Sequence, residues 1–496
     1  LGTFQRNIRQ AMTKNFFYTV LLSLVNLLFP LLSFPYASHI LGPEGIGSAQ
    51  MAISFAQYFA LFAALGIPIY GITEIARHKN HPENLSKAFS ELTIIFFVAS
   101  WILFLVYLII IYTVPFFQSH LRLYVLSGVL VLLSFTYTDW FFSGLEAFKN
   151  ITLRSVLIKI LALALLYLCV KSKMDYEPYL LIVIFSILGN QLLSFGMSLR
   201  ITRLQFQQLQ FKKHVKPLFF LFSTTLAASI YTMLDTVLLG FLADDHSVGL
   251  YTASIKLVKL TIPIVTAMGV ILIPSITRFF QEQATQKIQD LITTSFQFLT
   301  FFAIPVSAAL ALLAPECILV FSGKEFTDAI PVMRILAMLP ILIGFGHFYC
   351  FQILLPAGKT QYIFYAVLAG VVTCLLLNIL LVPHWKSVGA AVANVATECV
   401  VTAGYIYYMR RFFIPRLQWQ YGWHALVGCL IFIPIIYWIR AYHFLPLITL
   451  LLSAICCSIA FFAIQWWIFR HHFLLNFMQP LKDWLLRKKN ILPDEY

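Results

Sequence analysis

Apolar windows of about 20 residues follow one another along nearly the whole chain, which is the length a helix needs to cross a bilayer. They lie at 15–37, 47–69, 91–114, 122–143, 152–170, 179–199, 217–242, 248–277, 291–313, 330–354, 362–382, 387–409, 423–442 and 444–469. The pattern predicts an all-α polytopic membrane protein with fourteen transmembrane helices joined by short polar connections. No segment between the windows is long enough for a soluble domain. The 15–37 window is too long for a signal-peptide core and reads as a helix.

Composition agrees. Hydrophobic residues make up 60% of the chain and charged ones 11%, and the mean hydropathy is +0.85. A water-soluble domain carries about 25% charged residues, so that class is excluded. The 47 Phe against 22 Gly suit lipid-facing helices better than a polar-lumen barrel. Eight Cys show no C-x-x-C spacing and sit mostly in apolar runs, so they read as small hydrophobes. No metal site or cofactor is expected.

The net charge of +14 would suggest nucleic acid in a soluble protein. Here its distribution carries the meaning. Of 34 Lys and Arg, 24 fall at the N-terminus, on alternate connections and on the C-terminal tail; six fall on the opposite connections and four inside windows. This asymmetry predicts both termini in the cytoplasm, which an even number of spans permits. Nucleic acid is not needed to explain it.

Two hairpin regions resemble each other. His39–Phe55 reads HILGPEGIGSAQMAISF, and Gly240–Ser254 reads GFLADDHSVGLYTAS; aligning Gly47 with Gly249 gives an offset of 202. The connection Gly144–Lys149 (GLEAFK) likewise matches Leu354–Lys359 (LLPAGK) at an offset of 210. Spans one to six are therefore predicted to be repeated in spans seven to twelve, with two helices appended. The domains are drawn as 1–200, a basic cytoplasmic linker at 201–216, 217–411, and 412–496. Six is even, so the halves are parallel repeats, and transporters built this way run their substrate path between the halves.

On these residues the chain resembles the polysaccharide-transport branch of the multidrug/oligosaccharidyl-lipid/polysaccharide flippase superfamily. The two hairpins carry the resemblance, the second extended to Asp235–Leu257 (DTVLLGFLADDHSVGLYTASIKL). Trp140–Ala147 (WFFSGLEA) and Ser387–Asn394 (SVGAAVAN) add to it. The resemblance implies a flippase of the O-antigen type, turning an undecaprenyl-diphosphate-linked oligosaccharide from the cytoplasmic to the outer leaflet of a bacterial inner membrane. Partners implied are that lipid-linked glycan, membrane lipids, a coupling proton or sodium ion, and polysaccharide polymerase and assembly machinery. A lipid II flippase is the nearest alternative, but the first helices lack the arginines associated with that branch. A drug/cation antiporter of the same superfamily is disfavoured by the two extra spans and by the surplus of embedded cations.

Ionisable groups inside a span are costly and face a cavity, a partner or the interface. Asp235 and Lys256 lie at similar depths, roughly 10–12 Å from the outer boundary, so a pair across the hairpin is feasible. Lys259, one turn deeper, is a candidate contact for an anionic ligand. Near the cytoplasmic side, Asp139 and Lys159 are at pairing depth, and Lys159 is placed to meet an entering diphosphate. Arg334 lies near a helix end, where it can snorkel or serve the same cargo. Glu398 falls at mid-span with Asn394 one turn away, while Asn190 and Gln191 occupy the middle of the corresponding first-half helix. These four predict polar cavity walls, with Glu398 as an ion-coupling or charge-neutralising group. His347 and Asn378 read as helix–helix hydrogen-bond partners.

Other features predict less. Gly358-Lys359-Thr360 lacks the upstream glycine of a phosphate loop. Asp244-Asp245-His246 reads as a turn, and the 6–7 connection as an amphipathic interfacial helix. A membrane polymerase or glycosyltransferase would need a substantial outer loop. The longest, 314–329, holds Glu316, Glu325 and Asp328 without a catalytic constellation.

Overall fold

The computed structural model describes residues 2–207 and 209–469. The tail residues Arg470, Lys482, Arg487, Lys488 and Lys489, and His471 and His472, lie outside them. Among the described residues every regular element is helical. By length and composition ten helices among the described residues can cross a membrane, or eleven if the bent pair Pro115–Leu132 and Ser134–Gly144 counts as one span. The sequence pattern predicts fourteen. The difference has a structural source: Phe17–His78 and Thr360–Met409 are each long enough to run through two apolar windows. The helix Lys212–Leu242 covers the 217–242 window.

Both long helices contain a backbone break where a connection was predicted. Gly42 takes φ 69° and ψ −179°, which glycine adopts without a Cβ clash, and Pro43 follows as a helix-starting residue with no N–H to satisfy. In Thr360–Met409 the break falls at Lys386, a non-glycine residue with φ 46°. That conformation costs about 1–3 kcal/mol. The Lys386 ammonium donates to Asp244 Oδ2 at 2.8 Å, a contact that helps hold the bend.

The chain divides into two compact units, the first comprising 1–253, 321–326 and 374–390 and the second 254–320, 327–373 and 391–496. Ile67, Phe89, Leu92, Phe96, Trp140, Phe141 and Phe142 form a core of the first. In the second, Phe296 packs on Phe345, Phe348 and Trp419, and Phe301 on Phe461 and Phe462. Only 6–50% of each candidate span's apolar window is buried. Ile109, Leu168, Tyr437, Trp438 and Trp467 are 62–78% exposed. Water would not tolerate so much exposed apolar surface on helices whose backbone bonds are internally satisfied, so lipid is the solvent. The chain is a multi-span membrane protein.

The 6–7 connection departs from expectation, since residues 202–207, 209 and 210 are not helical. Instead Ser86 bonds Thr202 and the Arg203 carbonyl, Ser90 accepts from Gln205 N–H, and buried Glu91 accepts from Gln210 N–H. Lys213 and His214 also contact Glu91, at 2.7 and 2.9 Å, and His214 meets the Tyr70 hydroxyl at 2.9 Å. Polar side chains of the preceding bundle thus offer the segment more hydrogen bonds than a lipid surface would, and it lies pinned to the protein.

Candidate transport site

Asp139 stands at the start of the short helix Asp139–Gly144, just after a bend, and its carboxylate lies against the Arg154 guanidinium. Arg154 Nε donates to Asn190 Oδ1 at 3.1 Å, Ser194 Oγ donates to Asp139 at 3.2 Å, and Arg154 packs over the Phe142 ring at 5.0 Å. The expected Asp139–Lys159 pair is not what forms. Lys159 donates to Asn26 and lies over the Phe29 ring. The reason is helical geometry: five residues separate Arg154 from Lys159, so they project on different sides of the Phe148–Cys169 helix. By its depth at a span end, Arg154 belongs with its connection. Yet Arg154 is 4% exposed, and its Nη1 has no hydrogen-bond partner. Asn190, expected on a cavity wall, is a ligand of this arginine. Gln191 is half-buried, with its side-chain oxygen unsatisfied.

Asp235 is buried and receives Tyr251 Oη at 3.1 Å, Asn378 Nδ2 at 2.9 Å and Cys374 Sγ at 3.3 Å. Three donors on two other helices disperse its charge, which is how a carboxylate persists inside a span. Asn378 is here the helix–helix partner expected of it.

The remaining candidates belong to the second unit. Lys256 is half-buried and Lys259 exposed on Asp245–Gln281. Arg334 is exposed on Ala329–Leu336. Asn394 and Glu398 lie on Thr360–Met409, Asn394 half-buried and Glu398 9% exposed. Lys256, Lys259, Asn394 and Glu398 each engage in an interaction with other groups.

The two repeat-related hairpins meet within the first unit. A Cβ at Gly47 would overlap the Asp245 carbonyl, and one at Gly249 would overlap the Pro43 carbonyl. Gly47 and Gly249 differ by 202 in number, as do Pro43 and Asp245. Glu44 and His246, also 202 apart, face each other at 3.2 Å. Each residue therefore contacts the equivalent of its own neighbour, as in a two-fold interface. Around this contact His120 meets Asp245 at 3.2 Å, Lys386 meets Asp244, and Lys173 meets Glu325. The Asp244 carboxyl is pulled down to about 2: burial opposes ionisation, but Lys386 and the Ser247 N–H overcome it. Of the expected turn Asp244-Asp245-His246 only Asp244 lies in the connection, Asp245 and His246 opening the helix Asp245–Gln281, and the three side chains are the hub of these pairs. The 202 offset held the signal, since it aligns an acid, Glu44, with a histidine. Glu316, in the predicted outer loop, is held by both Arg440 Nε and Nη2 at 2.7 Å, a structural tie and not a free acid.

Two mutually contacting hairpins and ionisable groups within spans, on an all-helical multi-span body, are features that membrane transporters share. The chain is similar to a structure of the lipid II flippase MurJ in its inward closed conformation, with a TM-score of 0.70 and 14% identity over 90% of this chain and 98% of that one. It is also similar to the inward-facing conformation of a multidrug resistance MATE family transporter, with a TM-score of 0.59 and 16% identity, over 77% of this chain and 94% of that one. At these identities the likeness is one of fold. The model of the polysaccharide biosynthesis protein family matches residues 12–280, and the chain belongs to that family. A relative in Escherichia coli (strain K12), "Putative O-antigen transporter", is 24% identical over 81% of this chain and 97% of its own length. Another, "Probable low-salt glycan biosynthesis flippase Agl15" of Haloferax volcanii, is 25% identical over 52% of this chain and 54% of its own.

Proposed function

We propose that this protein flips a lipid-diphosphate-linked oligosaccharide from the cytoplasmic to the outer leaflet of a bacterial inner membrane, by alternating access coupled to an ion gradient. Family membership and the names of the relatives support the cargo. The alternating-access part rests on one observation, the reciprocal contact of Pro43–Gly47 with Asp245–Gly249. Two equivalent hairpins touching through glycines, with ion pairs around them, form a junction that can separate and re-form without exposing a large apolar core at that point. Flipping requires a bulky polar head to cross hydrocarbon, so a shielded path with cations for the diphosphate is the physical demand. Lys159, Lys256, Lys259 and Arg334 are assigned to that contact, and Glu398 and Asp235 to coupling or charge balance. Fourteen spans, with both termini cytoplasmic, complete the reading.

The test is reconstitution in vesicles carrying an undecaprenyl-diphosphate oligosaccharide, with leaflet exposure read by an impermeant lectin, with and without a proton or sodium gradient. Wild-type protein accelerates exposure, and Lys259→Gln and Glu398→Gln each slow it roughly tenfold to a hundredfold, the effect of losing a charged hydrogen bond. Failure to move any such lipid, together with efflux of small cations, overturns the reading. Normal flipping by both folded variants removes these two residues from the site.

A further inference from the structure

A second polar feature lies away from every residue assigned above, wholly within the second unit. The first turns of the helix Thr285–Leu312 and the connection 412–421 enclose a cleft of about 790 Å³. Both segments are on the predicted cytoplasmic side. The volume is that of a small-molecule site, for which roughly 300–1,000 Å³ is usual.

The composition of the wall decides what it suits. Gln286, Gln289, Asp290, Thr293 and Gln297 follow a helical spacing of three to four residues, so they form one stripe. From Gln286 to Gln297 the stripe runs about 16 Å, from the aqueous end into the predicted span. Facing it are Arg416, Gln418 and the rings of Phe412, Phe413 and Tyr421. One acid and one base leave the wall with no net charge, which suits neither a diphosphate nor a cation. Amides and hydroxyls offer both donors and acceptors, matching the alternating hydroxyls of a sugar. Aromatic faces match the apolar C–H faces of a pyranose ring.

The wall is also held in place before any ligand arrives. Gln289 Nε2 donates to the Arg416 carbonyl and its Oε1 accepts from Arg416 N–H, both at 3.0 Å. This two-bond clamp fixes the connection to the helix. Gln289 also reaches Thr293 at 3.0 Å, Gln286 donates to Asp290 at 3.0 Å, and Gln297 donates to Gln418 at 3.4 Å. Each amide has capacity beyond the bonds it makes here.

We infer that this cleft is a docking site for uncharged sugar units of the glycan head, on the cytoplasmic side of the second unit. The inference rests on the cargo reading for its biological sense. Its physical content is independent: binding of neutral oligosaccharide to 285–297 and 412–421.

The test uses the full chain in lipid nanodiscs, with maltotriose, chitotriose and lactose as neutral probes and sodium phosphate as the anionic one. Hydrogen exchange is read across the protein. At least one sugar slows exchange in 285–297 and 412–421, half-saturating in the millimolar range, and phosphate does not. The double variant Gln286→Ala/Asp290→Asn, which spares the Gln289 clamp, raises the half-saturating concentration at least tenfold; Lys259→Gln leaves it unchanged. Phe413→Ala, on the opposite wall, weakens binding in the same direction. No protection by any sugar, equal protection by phosphate, or indifference to the variants overturns the inference. Lipid-linked oligosaccharide flipping by the same proteins separates the two readings. If the wild type flips but no sugar protects the cleft, the cleft assignment falls and the cargo reading stands. If sugars protect the cleft but the wild type flips no lipid-linked glycan, the cargo reading falls and the cleft remains a sugar site.

Discussion

Arg154 shows how a single residue can be misplaced by depth alone. Its position near a span end is legible in the sequence, and such arginines ordinarily extend to the interface. Here the helix turns it inward onto Asp139, Asn190 and Phe142. Removing one partner of a buried pair leaves a charge without compensation, which costs about 3–5 kcal/mol, whereas apolar replacement of both is often near neutral. Asp139→Asn and Arg154→Met should therefore each lower the unfolding temperature in detergent markedly, and the double variant should lose less than the sum. Strict additivity in that cycle would show that the pair is not coupled. Asp235 is reached by the uncharged donors of Tyr251, Asn378 and Cys374. Their spacing in the chain gave no hint that they converge, since 139 and 143 residues separate it from Cys374 and Asn378.

At the scale of elements, apolar periodicity located the helices and the joints between them, and left the backbone conformation at each joint undetermined. Both breaks fall at predicted connections, and Gly-Pro also signals the conformation at Gly42; the left-handed backbone of Lys386 has no such local signal, because a lysine enters that region only when tertiary contacts compensate it. The hairpin glycines carry the clearest consequence. At Gly47 and Gly249 a Cβ meets backbone of the opposing hairpin, which cannot swing aside as a side chain can. At Gly196, in the helix Tyr176–Ile201, nothing lies within 4 Å. Gly47→Val and Gly249→Val should each cost at least the roughly 1–3 kcal/mol of overpacking and reduce the monodisperse fraction in size-exclusion chromatography. Gly196→Ala should leave it unchanged or improve it, since alanine favours a helix by about 1 kcal/mol over glycine. Equal behaviour of all three would mean that the hairpins do not meet as described.

For the whole molecule, the lysine and arginine distribution is the governing quantity. With 24 of 34 bases on the termini and one set of connections and six on the other set, the cost of translocating the charged ends favours one orientation. A fluorescent protein fused after Tyr496 should fold and emit, and alkaline phosphatase there should be inactive. The same phosphatase fused after Asp175, in a predicted outer connection, should be active. The reverse pattern would invert the orientation, and with it the side on which the polar cleft opens. The two compact units also cut across the repeat, because the first takes in residues up to 253 together with 321–326 and 374–390. No reading of the repeat alone would have drawn that division.

Hydropathy by itself determined that this chain lives in a bilayer as helices, because each span pays its backbone cost locally and that requirement is written in every 20-residue window. The likeness of the two hairpins and its offset of 202 were legible too, and the structure brings those hairpins together. What only the tertiary structure decided is which polar groups meet: Arg154 with Asp139, Glu44 with His246, Gln289 with Arg416. Those pairings depend on how each helix is rotated about its axis and bent at its breaks. Both are set by packing between helices remote in sequence, where a rotation of one residue, about 100°, exchanges a buried partner for a lipid-facing one.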